Sequence, residues 1–92
     1  MPTIHLIVSG KVQGVFFRAT AKDVADEIGI TGWVRNAADG NVEAVARGTE
    51  EQLQKFIEWC KKGPPEAIVT GVKISPADDK EFEKFNVIRK WV

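Results

Sequence analysis

Apolar residues repeat with a period of two near the start of the chain. Ile4, Leu6 and Val8 share one parity, and His5, Ile7 and Ser9 the other. That alternation predicts a well-covered strand. Residues 10–16, GKVQGVF, interrupt it with two glycines and read as a loop. Beyond the loop, Phe17, Ala21, Val24, Ala25 and Ile28 fall on one face at helical spacing, and Gly29 supplies the stop. Trp33-Val34-Arg35-Asn36 reads as a second strand. Asp39-Gly40 is a hairpin turn signal, which places Val42, Ala44 and Ala46 on one face of an antiparallel third strand. Thr49-Glu50-Glu51-Gln52 forms a capping box that opens a second helix with the stripe Leu53, Phe56, Ile57 and Cys60. Lys61 and Lys62 suit the negative end of that helix, and Gly63-Pro64-Pro65 terminates it. Ile68, Val72 and Ile74 mark a fourth strand. Phe85, Val87 and Ile88 mark a short last one after the charged connection at residues 78–84.

The resulting order is βαββαβ plus a short extra C-terminal strand, with no internal linker. It predicts one α+β domain over residues 1–92: a ferredoxin-like sandwich, with an antiparallel sheet and both helices on one face. A right-handed crossover leaves the first and second strands parallel, and the hairpin partner sits between them. Those two strands then end on the same side of the sheet, roughly 10 Å apart. The loop after Ser9 and the side chain of Asn36 are therefore expected to face one space.

Composition narrows what that space serves. The 92 residues carry 13 basic and 13 acidic side chains, a balance that argues against a nucleic-acid backbone as partner. A compact anion remains open, because a small site needs local donors and no net charge. The single cysteine, Cys60, excludes an intrachain disulfide framework and the usual zinc spacings. The lone His5 has no histidine partner and reads as a satisfied strand residue. The start lacks the pattern of a signal peptide, and no apolar run approaches the roughly 20 residues of a membrane helix. A soluble cytoplasmic protein without a membrane partner is expected.

The loop carries the chemistry. Gly10 and Gly14 are able to take positive φ, turning successive amides inward as an anion nest, and the helix that follows adds its own free amides. Arg18 breaks a local rule. A cation in the first helical turn faces like partial charge, at a cost of about 0.3–1 kcal/mol when exposed. A bound dianion reverses that sign and gives the guanidinium a bidentate partner. Two glycines and an arginine alone read better as a tight turn with a surface arginine lying over the sheet edge, since such spacing is common. Likewise Asn36 alone is an asparagine leading into a turn.

Longer strings carry a resemblance. Val8-x-Gly10-x-Val12-Gln13-Gly14-Val15-x-Phe17-Arg18 resembles the first signature of the acylphosphatase family. Gly32-Trp33-Val34-Arg35-Asn36-x-x-x-Gly40-x-Val42, followed by Gly48, is similar to the second. The resemblance runs from the first strand to the Gly-Pro-Pro after helix two and weakens over the last two strands. It implies that Arg18 binds a phosphoryl group and that Asn36 positions the attacking water. It also implies that the loop of Val12, Gln13, Gly14, Val15, Phe16 and Phe17 offers backbone amides. Ala37 follows Asn36 where some relatives carry a hydroxyl residue.

The implied reaction is hydrolysis of small acyl phosphates to carboxylate and phosphate without metal or cofactor. Neither signature contains a histidine or carboxylate, yet the chemistry is coherent. The leaving carboxylate has a conjugate acid of pKa roughly 4 to 5, so no general acid is needed. Phosphoryl transfer rests on positioning and charge stabilisation, and one well-placed donor is worth about 3 to 4 kcal/mol in other enzymes. The expected form is a monomeric enzyme. A binding module for an acyl-phosphate-like anion is the alternative, and RNA recognition on the open sheet face ranks last. Gln13 is expected to brace the loop through its amide, and Trp33 and Trp59 to cover core or edge.

Overall fold

The computed structural model describes residues 1–89; Trp91 and the terminal Val92 lie outside them. The elements are β1 (Thr3–Lys11), α1 (Phe17–Ile28), β2 (Thr31–Asn36), β3 (Val42–Arg47), α2 (Glu50–Lys62), β4 (Ile68–Pro76) and β5 (Phe85–Ile88). The sheet order is β4-β1-β3-β2-β5. The first four strands pair antiparallel, as the hairpin and crossover signals require. The terminal strand differs: β5 lies parallel to β2, so the sheet is mixed. Both helices pack on one face, which makes the fold a ferredoxin-like α+β sandwich with one added edge strand.

The core forms where the apolar parities meet. Leu6, Val8, Val34, Val42, Ala44 and Ala46 point from the sheet toward Phe17, Ala21 and Ala25 of α1 and Leu53, Phe56 and Cys60 of α2. Each large side chain fully buried this way contributes about 1.5–3 kcal/mol. Phe85 anchors β5 beneath the helices, its ring 5.6 Å from that of Phe56. Trp59 packs on Phe17 at 5.1 Å, the covering role expected of it.

Local signals hold the helix ends. Thr49 Oγ1 accepts from the Gln52 amide at 3.1 Å, while Gln52 Oε1 accepts from the Thr49 amide at 2.9 Å, completing the capping box. Gln52 Nε2 also donates to the Ile28 carbonyl at 3.1 Å, so one side chain starts α2 and ties down the end of α1. Gly29 closes α1 in the left-handed region, its amide bonded to Ala25.

Two boundaries move. β1 runs on to Lys11 through a bulge between Ser9 and Gly10, so Gly10 belongs to the sheet and not to the loop. Its glycine is needed for close approach: a Cβ there would lie 2.1 Å from the Ile68 carbonyl oxygen. The bulge also shifts the phase of β4. Val69 and Val72 pack on the core, while Ile68 and Ile74 stand exposed on an edge strand.

Candidate active site

Three strands run in one sense and end together. β1 and β2 are each antiparallel to β3, and β5 is parallel to β2, so Lys11, Asn36 and Ile88 finish at the same end of the sheet. The N-terminus of α1 begins there. Between these ends lies a pocket of about 290 Å³ lined by Val12, Gly14, Phe16, Phe17, Arg18, Ala19, Asn36 and Arg89.

The loop is pinned from below and open above. Val12, Val15 and Phe17 are buried, whereas Phe16 is 74 % exposed. Gly14 and Phe16 are left-handed, with φ of 74° and 64°. For Phe16, which has a Cβ, that conformation costs about 1–2 kcal/mol. Phe16 is the residue preceding α1 and offers no side-chain cap to the helix amides. The first amide of α1 with a helical partner is that of Thr20, bonded to the Phe16 carbonyl at 3.1 Å. The amides of Phe17, Arg18 and Ala19 precede it and have no acceptor within the helix. Those three residues line the pocket. The first turn holds no acidic residue.

Arg18 leans toward β5 and donates through Nη1 to the Ile88 carbonyl at 3.4 Å. A guanidinium has five N–H donors, so one such bond orients the group and leaves most of its fork free. Lys22, one turn later, makes a similar bond to the Phe85 carbonyl at 3.1 Å. The added strand therefore sets the cationic face of α1.

Gln13 joins the two halves of the site. Its Nε2 donates to the carbonyls of Ala37 at 2.8 Å and Asn41 at 2.9 Å, using both protons. Ala37 directly follows Asn36, so the loop is fastened to the hairpin that carries the asparagine. The brace expected of Gln13 is present, and its acceptors lie on the remote segment.

The six expected residues Val12, Gly14, Phe16, Phe17, Arg18 and Asn36 thus meet at one pocket. Gln13 and Val15 do not line it; they hold the loop from the hairpin and the core. Ala19 and Arg89 line it without having been anticipated. Ala19 was recoverable from helix geometry, as the third unpaired amide. Arg89 required knowing that the last strand runs parallel to β2.

Other chemically capable side chains lie elsewhere. His5 is bonded to Glu43, which also takes Arg35. Burial alone would push the Glu43 carboxyl up, but the hydrogen bonds and charges of His5 and Arg35 outweigh it and hold the group below its ordinary value. Arg35 lies over the Trp33 ring at 4.8 Å. The Cys60 thiol is pushed up to about 12 by burial and is inert as a nucleophile. Among the described residues, no cluster of histidine, cysteine or acidic side chains is arranged to hold a metal ion. No described helix is long and apolar enough to cross a membrane.

The fold and pocket define an α+β protein in which an uncapped helix N-terminus, an arginine and an asparagine share one pocket. Comparison with known proteins narrows the class. The acylphosphatase family profile matches residues 4–87, extending through β4 and most of β5. An acylphosphatase of Methylococcus capsulatus is 48% identical over 90 residues, covering 97% of this chain and 98% of that one. The solved acylphosphatase of Coxiella burnetii superposes with a TM-score of 0.91 at 41% identity, covering 95% of this chain and 92% of its own. That of Bacillus subtilis gives 0.91 at 38% identity, covering 96% and 99%. The chain belongs to the acylphosphatase family.

Proposed function

We propose that this protein hydrolyses the carboxyl–phosphate bond of small acyl phosphates, with Arg18 and the loop amides holding the phosphoryl group and Asn36 positioning the water. The observation that carries the reading is the convergence of Arg18, three helix amides with no acceptor within the helix and Asn36 on one pocket that, among the described residues, no acidic side chain lines.

In this reading the phosphoryl dianion sits at the start of α1. The amides of Phe17, Arg18 and Ala19 take its oxygens together with the loop, and the Arg18 fork spans two of them. An acidic side chain here would repel both the substrate and the charge that spreads over the equatorial oxygens. Asn36 accepts a hydrogen bond from a water through its carboxamide oxygen and aligns that water opposite the acyl oxygen. The water oxygen bonds to phosphorus as the bond from phosphorus to the acyl oxygen breaks. The electron pair leaves on the carboxylate, which needs no proton at neutral pH. The water's proton passes to a phosphoryl oxygen, and orthophosphate and carboxylate depart. No step calls on a metal, a cofactor or a general acid. The same reading makes the protein a monomeric cytoplasmic enzyme, one acylphosphatase-like domain over residues 1–92. Its equal numbers of acidic and basic residues disfavour a nucleic-acid partner.

The test is phosphate release from benzoyl phosphate in the presence of chelator, with p-nitrophenyl phosphate as the monoester control. Arg18→Ala and Asn36→Ala are expected to stay folded by circular dichroism and to lose about 10²–10³-fold in kcat/KM, the loss seen for a single charge-stabilising donor. Undiminished turnover in either folded variant would remove that residue from its role.

A further inference from the structure

Arg89 is a second guanidinium on the pocket that holds Arg18 and Asn36. The parallel register aligns Arg35 with Ile88, so the next residue along each strand brings Arg89 level with Asn36. Arg89 is exposed, and none of the ion pairs among the described residues includes it. Arg18 approaches from α1, on the phosphoryl side, and is anchored to the Ile88 carbonyl. Arg89 approaches from beyond β5. One guanidinium and the free amides of a helix start suffice for a phosphoryl dianion. Arg89 stands outside that set, and a second anionic group on the ligand, reaching the mouth of the same cavity, would meet it. At about 290 Å³ the pocket is near the lower end of small-molecule sites, roughly 300–1,000 Å³. That volume suits a small acyl group better than a long acyl chain.

We propose that Arg89 is a specificity-determining residue that selects acyl phosphates whose acyl group carries a second anionic group. This rests on the acylphosphatase reading. The phosphoryl end is held by Arg18 and the loop, and the far anion of the acyl group pairs with Arg89 at the pocket mouth.

The experiment compares kcat/KM for 4-carboxybenzoyl phosphate, its neutral 4-carbamoyl analogue and benzoyl phosphate, in the parent, Arg89→Gln and Arg89→Glu. The parent is expected to favour the carboxy compound over the carbamoyl one by about tenfold at low ionic strength, mostly in KM. That ratio corresponds to about 1.4 kcal/mol. It shrinks as added salt shortens the screening length, because the group is exposed. Arg89→Gln brings the ratio to about one, and Arg89→Glu inverts it. Equal losses on both compounds in Arg89→Gln would show Arg89 serving the phosphoryl group and overturn the proposal. An unchanged ratio in both variants would overturn it as well. If the parent hydrolyses none of the three compounds, the acylphosphatase reading itself fails, and this proposal with it.

Discussion

Replacing Gln13 by methionine, close in length and shape, tests how the site is assembled. The substitution removes both bonds from Nε2, to Ala37 at 2.8 Å and to Asn41 at 2.9 Å. Each such bond contributes about 0.5–1.5 kcal/mol, and more when its loss strands a buried acceptor. Neither acceptor is stranded here. The Asn41 carbonyl still accepts from the Ala37 amide at 2.8 Å, and the Ala37 carbonyl from the Gly40 amide at 3.2 Å. The expected cost is therefore about 1–2 kcal/mol, read as a lower urea midpoint at unchanged slope. Activity is expected to fall further than stability. The hairpin bearing Asn36 loses its fastening to the loop, and displacement of a positioning group by about 1 Å costs on the order of 10²-fold in rate. The fall belongs in kcat, while KM and inhibition by inorganic phosphate hold, because Arg18 and the helix amides are untouched. Gln13→Glu, which sets a carboxylate against two carbonyl oxygens, is expected to be worse in both respects. If Gln13→Met lowers the urea midpoint but leaves kcat at the parent value, the coupling between loop and hairpin is structural only and the reasoning is wrong.

Two further outcomes follow from single features. Gly14→Ala meets no atom within 4 Å of the new Cβ, so its φ of 74° is the whole cost, about 1–2 kcal/mol. Gly10→Ala, with a backbone oxygen 2.1 Å away, is expected to be clearly worse, and equal urea midpoints for the two would contradict this. Glu43 sits below its ordinary value of 4.5 in the folded protein because His5 and Arg35 outweigh burial. A carboxyl lowered on folding contributes stability that is fully present above its unfolded pKa and is lost as pH falls through the folded one. The stability gap between the parent and Glu43→Gln is thus expected to be wide at neutral pH and to narrow in acid below pH 4.5. A gap that stays constant or widens there would refute the assignment.

Much of the molecule was legible because its signals are local. The capping box at Thr49 and Gln52 formed as read, since each partner lies within one helical turn of the other. Val42, Ala44 and Ala46 fell on the buried face because parity alone decides which side of a strand a residue takes. Gly29 ended α1, since a left-handed closing residue favours glycine. The site was half legible for the same reason. The glycine loop and Arg18 lie within a few residues of one another, and the longer strings around them carried the resemblance.

The remainder depended on distant pairings. The terminal strand runs parallel to β2 with Phe85 in the core beside Phe56, a contact between residues far apart in the chain. That pairing set the Ile88 carbonyl against Arg18 and carried Arg89 into the pocket. The bulge at Gly10 arose from the fit of β1 to β4, and the acceptors of Gln13 came from the hairpin across the sheet. The amino-acid order by itself determined the elements, the buried faces of β3 and the helices, and the glycine loop that leads into α1, because these depend on neighbours a few residues away. The tertiary structure decided which strand ends meet, and so the second arginine and the joining glutamine bonds. Those depend on which surfaces bury each other, and no local pattern encodes that choice.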